Sequence, residues 1–360
     1  MRLNRRTVLG AAAAGVLTAA ARGTTPGLRD IASARGRFFG TAAGSYQLKD
    51  ADFAATLARE SAILVPEYEL KRLIVEPQPG QFDFSGADAL VNFASAHGLK
   101  MRGHTCVWYA ANPPWLDDKV LSAPDDEIMT FFITKMMARY RGRFHSWDVV
   151  NEAIFPADGR SDGLRSSVWL KRFGPSYIDM AYHTAKAADP DALLVYNDWG
   201  CEGGEPWNDH FRAVTLKFLE GAKARGVPIE ALGLQGHLHA YGPPVDQKKL
   251  RLFLDAVKAM GLKILVTELD VDDSTAPLDI ATRDRAVADA TARFLDVVLD
   301  NSACEAVLSW GLTDRYLHKP EGLRTALSGY LPRKLPLDSD LRPKPMYGAI
   351  ARAIGRGATR

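Results

Sequence analysis

The order of apolar runs in this chain predicts an α/β fold, a single domain in which eight parallel strands close into a (β/α)8 barrel. Three observations carry that reading. Eight short apolar runs occur in succession, at Phe38–Ala43, Ala62–Glu67, Lys100–Trp108, Ser146–Glu152, Ala192–Asp198, Ala231–Leu238, Lys263–Val271 and Ala306–Asp314. They are near-continuously hydrophobic, as strands buried on both faces are. Longer amphipathic stretches follow them. Seven of the runs end in polar clusters: Glu67; His104 with Trp108 and Tyr109; Asn151-Glu152; Asn197-Asp198; Gln235 with His237; Glu268 with Asp270; Trp310 with Asp314. Active sites of parallel barrels are built at those strand ends. A doubly wound sheet is the alternative. It calls for a GxGxxG turn after the first strand, and the sequence has none there.

The helices follow from periodicity and end signals. Apolar spacing predicts them at Gly86–His97, Asp125–Tyr140, Ile178–Ala188, Asn208–Arg225, Asp246–Met260 and Ala281–Leu299. Gly98, Gly226 and Gly261 stand where left-handed caps end helices. Asp158–Tyr177 and Asp314–Arg342 read as loops over the barrel mouth.

Composition bounds the class. The chain is 360 residues long, 47% hydrophobic and 24% charged, which is ordinary for a globular protein with ample core. Three cysteines, Cys106, Cys201 and Cys304, are too few for a disulfide framework and form no CxxC. Residues 1–22 read as an export signal: Arg2, Arg5 and Arg6 precede an Ala-rich apolar stretch too short for a membrane span. The Arg5-Arg6 pair points to twin-arginine export; the plainer alternative is a general secretory signal. The expected partner there is the export machinery, and the expected location is periplasmic or secreted, with no membrane attachment of residues 23–360. Without residues 1–22 the formal charge moves from +2 to −2. Nothing in that balance suggests a nucleic-acid partner.

Glu152 and Glu268 end the fourth and seventh runs. In an eight-membered ring those two ends face each other across the mouth. Two carboxyls so placed can break a glycosidic bond, one as acid/base and one as nucleophile. Glu268 and Asp270 share a strand face, as do Gln235 and His237. His237 set between the two acids would hold Glu268 ionised. Glu152 has no obvious cation in its own tetrad, so it is the expected proton carrier; a second carboxylate nearby favours the protonated form. Strict alternation puts Asn151 and Glu152 on opposite faces, so the strand must bend or end between them for both to reach the cleft.

Other matches carry less. Gly159-Arg160-Ser161-Asp162-Gly163 fits GxSxG but lacks the strand–turn–helix setting of a serine nucleophile. His237 and His239 have the spacing of two metal ligands, with no third in view. No metal or cofactor is expected. Trp108, Trp199 and Trp310 are candidate sugar platforms, and Trp147 is expected in the barrel wall.

Taken in order, Arg102-Gly103-His104-Thr105, Val107-Trp108, Trp147–Ala153, Asn197-Asp198, Gln235-x-His237-Leu238, Thr267–Asp270 and Trp310-Gly311-x-x-Asp314 resemble glycoside hydrolase family 10, the endo-β-1,4-xylanase family. The similarity runs from about Phe39 to Ile350. The resemblance implies a TIM (β/α)8 barrel and a retaining mechanism, with Glu152 as acid/base and Glu268 as nucleophile. It also implies that Asn151 bonds the sugar 2-hydroxyl, that His237 and Asp270 support Glu268, and that Glu67, Lys71, His104, Gln235 and Trp310 hold sugars on the non-reducing side. Asn197 and Trp199 join the expected binding set.

The departures cluster. Tyr68 and Arg72 stand where the family has Asn and Trp, Tyr109 where it has His, and His318 near its Ser-Trp pair. Tyr68, Tyr109 and His318, with Trp108, therefore also count as substrate-binding candidates. The expected substrate is a β-1,4-linked polysaccharide of xylan type. The aromatic and basic replacements raise a second β-glycan, such as an acidic bacterial exopolysaccharide. A non-catalytic carbohydrate-binding barrel is the reading of another class.

Overall fold

A computed structural model describes residues 26–275, 279–317 and 330–359. Among them, eight parallel strands close a barrel: β1 (Phe38–Ala43), β2 (Ile63–Pro66), β3 (Lys100–Val107), β4 (Phe144–Asn151), β5 (Leu193–Asp198), β6 (Ala231–Leu234), β8 (Lys263–Asp272) and β9 (Cys304–Ser309). β6 pairs directly with β8, and β9 closes on β1. A three-residue strand, β7 (His237–His239), adds to the end of β8. The single-domain TIM-barrel expectation holds.

Two apolar layers stabilise this arrangement. The barrel interior is filled by Ala42, Ile63, Val65, Val195, Ala231, Leu265, Ala306 and Leu308. A larger shell lies between strands and helices, where residues such as Phe132, Tyr182, Leu254 and Phe294 are almost wholly buried. Burying one such side chain contributes roughly 1.5–3 kcal/mol before entropy is counted. Trp147 is fully buried, stacks on Phe144 at 4.6 Å and belongs to the wall, as expected. Gly103 is required beneath it: a Cβ there would sit 2.0 Å from the indole.

The six expected helices are present with ends shifted by at most two residues, at Ser85–His97, Glu127–Arg139, Ser176–Ala188, Pro206–Ala224, Gln247–Ala259 and Ile280–Asp300. Gly98 caps the first of them in the left-handed region. The segment read as a loop from Asp158 to Tyr177 contains a helix at Val168–Phe173, with Ser167 accepting from the Leu170 N–H at its start. Its six residues are too few for periodicity to register. The sixth predicted run breaks after Leu234, because Gly236 turns at φ +78° before β7 begins. No described helix is long and apolar enough to cross a membrane. Cys106, Cys201 and Cys304 are all buried. The expected N-terminal signal, residues 1–22, and His318 lie outside the described residues.

Candidate active site

The strand ends bring the two glutamates to one rim. β4 stops at Asn151, and Glu152 takes φ +54°. That left-handed turn resolves the alternation conflict, since both side chains then reach the same network. The conformation is unfavourable for a residue with a Cβ and persists only where surroundings fix it. Here the Glu152 N–H donates to the Asn197 carbonyl at 2.9 Å, and the Glu152 carbonyl accepts from Arg165 Nε at 2.7 Å.

Amides link the carboxylates. Asn151 Nδ2 donates to Glu152 Oε1 at 3.2 Å. Asn197 Nδ2 is shared between Asn151 Oδ1 at 2.9 Å and Glu268 Oε1 at 2.8 Å. Thr267 Oγ1 fixes Asn197 from behind at 2.6 Å. Gln235 Nε2 donates to Glu152 Oε1 at 2.9 Å.

The support of Glu268 is ionic. His237 donates from Nδ1 to Asp270 at 2.7 Å and from Nε2 to Glu268 Oε2 at 3.2 Å. Burial opposes the imidazolium, but the bonds and charges of Asp270 and Glu268 outweigh it and raise His237 to about 10. Each ring nitrogen thus faces one carboxylate. Burial likewise works to raise Glu268, yet the His237 bond and the charges of His104 and His237 hold its carboxyl below the ordinary range. Asp270 is treated the same way, with Lys334 Nζ 2.5 Å from its second oxygen. Behind His104 stands Asp148, which accepts from His104 Nδ1 at 2.9 Å and is ion-paired to the buried Arg102.

Most of the expected binding residues surround this pair. A cleft of about 740 Å³ is lined by Trp108, Tyr109, Glu152, Trp199, Gln235 and His237. Trp199 packs on Phe211 at 5.5 Å and Trp207 at 5.9 Å, leaving a braced aromatic wall. The Lys71 ammonium lies among the rings of Tyr68, Trp108 and Trp310, 5.0 to 5.6 Å from their centres. Burial pushes the Glu67 carboxyl up, and burial with the Glu67 charge raises Tyr68 to about 12. Trp310 meets His104 edge-on at 5.4 Å.

Two expectations need correction, and one residue joins the site. The tetrad of Glu152 holds no cation, but Arg165 brings Nη2 to 3.9 Å from Oε2. Arg165 is thirteen residues downstream in a segment read as loop, so no local pattern announced it. Arg72 adds no charge to the cleft: it is buried, bonded to Glu76 at 2.9 Å and packed on Phe132 at 4.4 Å. Gln235 and His237 do not share a strand face, since the Gly236 turn sends them to different carboxylates. Sequence reasoning also missed Asp148, Arg102 and Lys334. The two strand residues resembled barrel filling, and Lys334 follows Asp270 by 64 positions.

A parallel barrel whose C-terminal rim holds two carboxylates in one hydrogen-bonded network, inside an aromatic cleft, defines a glycoside hydrolase. Residues 27–353 match the model of glycosyl hydrolase family 10. The chain is 31% identical to endo-1,4-beta-xylanase B of Thermotoga neapolitana over 334 residues, covering 90% of both chains. It is 32% identical to endo-1,4-beta-xylanase A of Phanerodontia chrysosporium, covering 92% of this chain and 78% of that one. Native xylanase 10B from Thermotoga maritima superposes with a TM-score of 0.78 at 30% identity, covering 91% of this chain and 98% of that one. The chain belongs to glycosyl hydrolase family 10.

Proposed function

We propose that the chain is a retaining endo-glycosidase acting on β-1,4-linked polysaccharide of xylan type. The observation that carries this reading is the unequal support of two neighbouring carboxylates. Glu268, held as an anion by His237, attacks the anomeric carbon. Glu152 gives its proton to the glycosidic oxygen as that C–O bond breaks. A water then attacks the glycosyl ester, transfers a proton to Glu152 and frees Glu268. Asn151 is the proposed contact to the sugar 2-hydroxyl, with Glu67, Lys71, His104 and Trp310 on the non-reducing side and Trp199 beyond the cleaved bond. The relatives' names as endo-1,4-beta-xylanases favour xylan.

The acidic-glycan reading loses Arg72, whose charge is spent on Glu76. Its remaining support is Tyr68 and Tyr109, both more than 40% exposed, together with His318, which lies outside the described residues. Reducing-sugar release from xylan, cellulose and an acidic exopolysaccharide, compared side by side, tests the assignment; turnover of the acidic polymer in preference to xylan would reverse it. A fluorinated mechanism-based sugar should leave a covalent adduct on Glu268. Binding without any adduct would point back to a non-catalytic barrel. Export of the chain by the twin-arginine route is proposed from residues 1–22 alone, and Arg5→Lys with Arg6→Lys should keep the protein in the cytoplasm.

A further inference from the structure

Arg165 is built into the site by more contacts than a loop residue needs. Its backbone N–H donates to the Ala153 carbonyl at 2.7 Å, and its Nε holds the Glu152 carbonyl at 2.7 Å. The rings of Tyr109 and Phe155 lie 4.2 and 4.4 Å from its guanidinium carbon. The residue is 8% exposed. Yet Nη2, also buried, makes no hydrogen bond among the described residues. The group it faces is Glu152 Oε2, 3.9 Å away, too far for a bond. A buried guanidinium N–H left unmade is costly, so its partner is expected at some stage of the cycle.

The surroundings of Glu152 show which stage. Its Oε1 is occupied by the neutral amides of Gln235 and Asn151. Tyr109 acts on it both by a side-chain hydrogen bond and by charge, and Lys71 and Asp198 act on it electrostatically. Lys71 sits among three aromatic rings. Asp198 accepts from the Ile154 and Trp199 N–H groups and is pushed toward its neutral form by burial. Oε2 faces the Arg165 guanidinium at 3.9 Å. We propose that Arg165 is a positioning residue for the second half of the reaction: Nη2 stands off while Glu152 holds its proton and closes onto Oε2 once that proton has gone to the leaving group. An ionised partner makes that bond roughly twice as strong as a neutral one. The closure, about 1 Å, holds the carboxylate in place until water attacks the anomeric carbon. Then the ester bond to Glu268 breaks and the water proton moves to Oε2.

This inference rests on the double-displacement reading above, and the test separates the two. An aryl β-xylobioside with a dinitrophenolate leaving group needs no proton to form the glycosyl enzyme, so hydrolysis of the ester sets kcat. Arg165→Met should lower kcat by about tenfold, the worth of one charge-assisted bond, and lower KM by the same factor. The kcat/KM ratio then stays within about twofold, and the initial burst of phenolate persists as slow turnover follows. Arg165→Lys should recover most of kcat. Because Nε also fixes the Glu152 backbone, Phe155→Leu serves as a second variant. It keeps both backbone bonds, loosens the guanidinium and should lower kcat and KM together by a smaller factor. An equal fall in kcat and kcat/KM, or a lysine variant no better than methionine, would overturn the proposal and leave Arg165 a structural residue. A wild-type enzyme with no burst and no ester on Glu268 would instead sink the double-displacement reading.

Discussion

The two sides of the cleft are built differently. On the Glu268 side, charge is fixed: Lys334, Asp270, His237 and Glu268 alternate in sign within bonding distance, and His104 with Asp148 and Arg102 closes the other flank. On the Glu152 side, one carboxylate oxygen meets neutral amides and the other lies 3.9 Å from the Arg165 guanidinium. The proposed nucleophile must stay ionised and aimed, and its site is over-determined accordingly. A group that gives and regains a proton needs neighbours that tolerate both forms.

Four experiments would break or sharpen that contrast. The largest effect is expected from Glu268→Ala, which should remove activity on every substrate by on the order of 10^5-fold, with a cooperative thermal transition retained. Full activity toward an activated aryl glycoside would end the assignment. Glu152→Ala comes next: hydrolysis of xylan should fall by roughly 10^2- to 10^4-fold, while the first step on a dinitrophenyl glycoside survives. Equal loss on both substrates would mean that Glu152 does not act through its proton.

The third concerns stability. His237 is raised from its ordinary 6.5 to about 10 in the fold. Its contribution is therefore complete below about 6.5 and is lost as pH rises toward and through about 10. Glu268 and Asp270 are lowered, so theirs is present above the ordinary carboxylate range and lost as pH falls through the depressed values. Thermal midpoints measured across pH should show a plateau between these limits. His237→Asn should flatten the alkaline decline, and an unchanged slope would remove His237 from the network. The smallest effect belongs to the Glu152 side: Gln235→Ala deletes one amide hydrogen bond and should cost about 2- to 10-fold in kcat/KM. A loss as large as that of Glu152→Ala would show that the amide is part of the chemistry.

Legibility followed the same division. The inner part of the Glu268 support was readable, because Glu268 and Asp270 sit two apart on one strand and a nearby His suffices to join them, whereas Lys334, Asp148 and Arg102 were not. The setting of Glu152 was only half readable. Alternation exposed a conflict between Asn151 and Glu152, but not its solution in a left-handed residue pinned by Asn197 and Arg165. Arg72 failed in the opposite direction, because a charge in a cleft motif was taken to face the cleft. Glu76, one helical turn on, turns it into the wall instead.

By itself, then, the sequence determined the barrel, the rim and the two carboxylates. Strand-length apolar runs and polar strand ends are local patterns, and a closed parallel ring leaves them one common arrangement. Only the tertiary structure decided which cation meets which acid. Arg165, Lys334 and Arg102 reach their partners across loops or between neighbouring strands, and the range of a charge in a buried site is set by distance in space, not by separation along the chain.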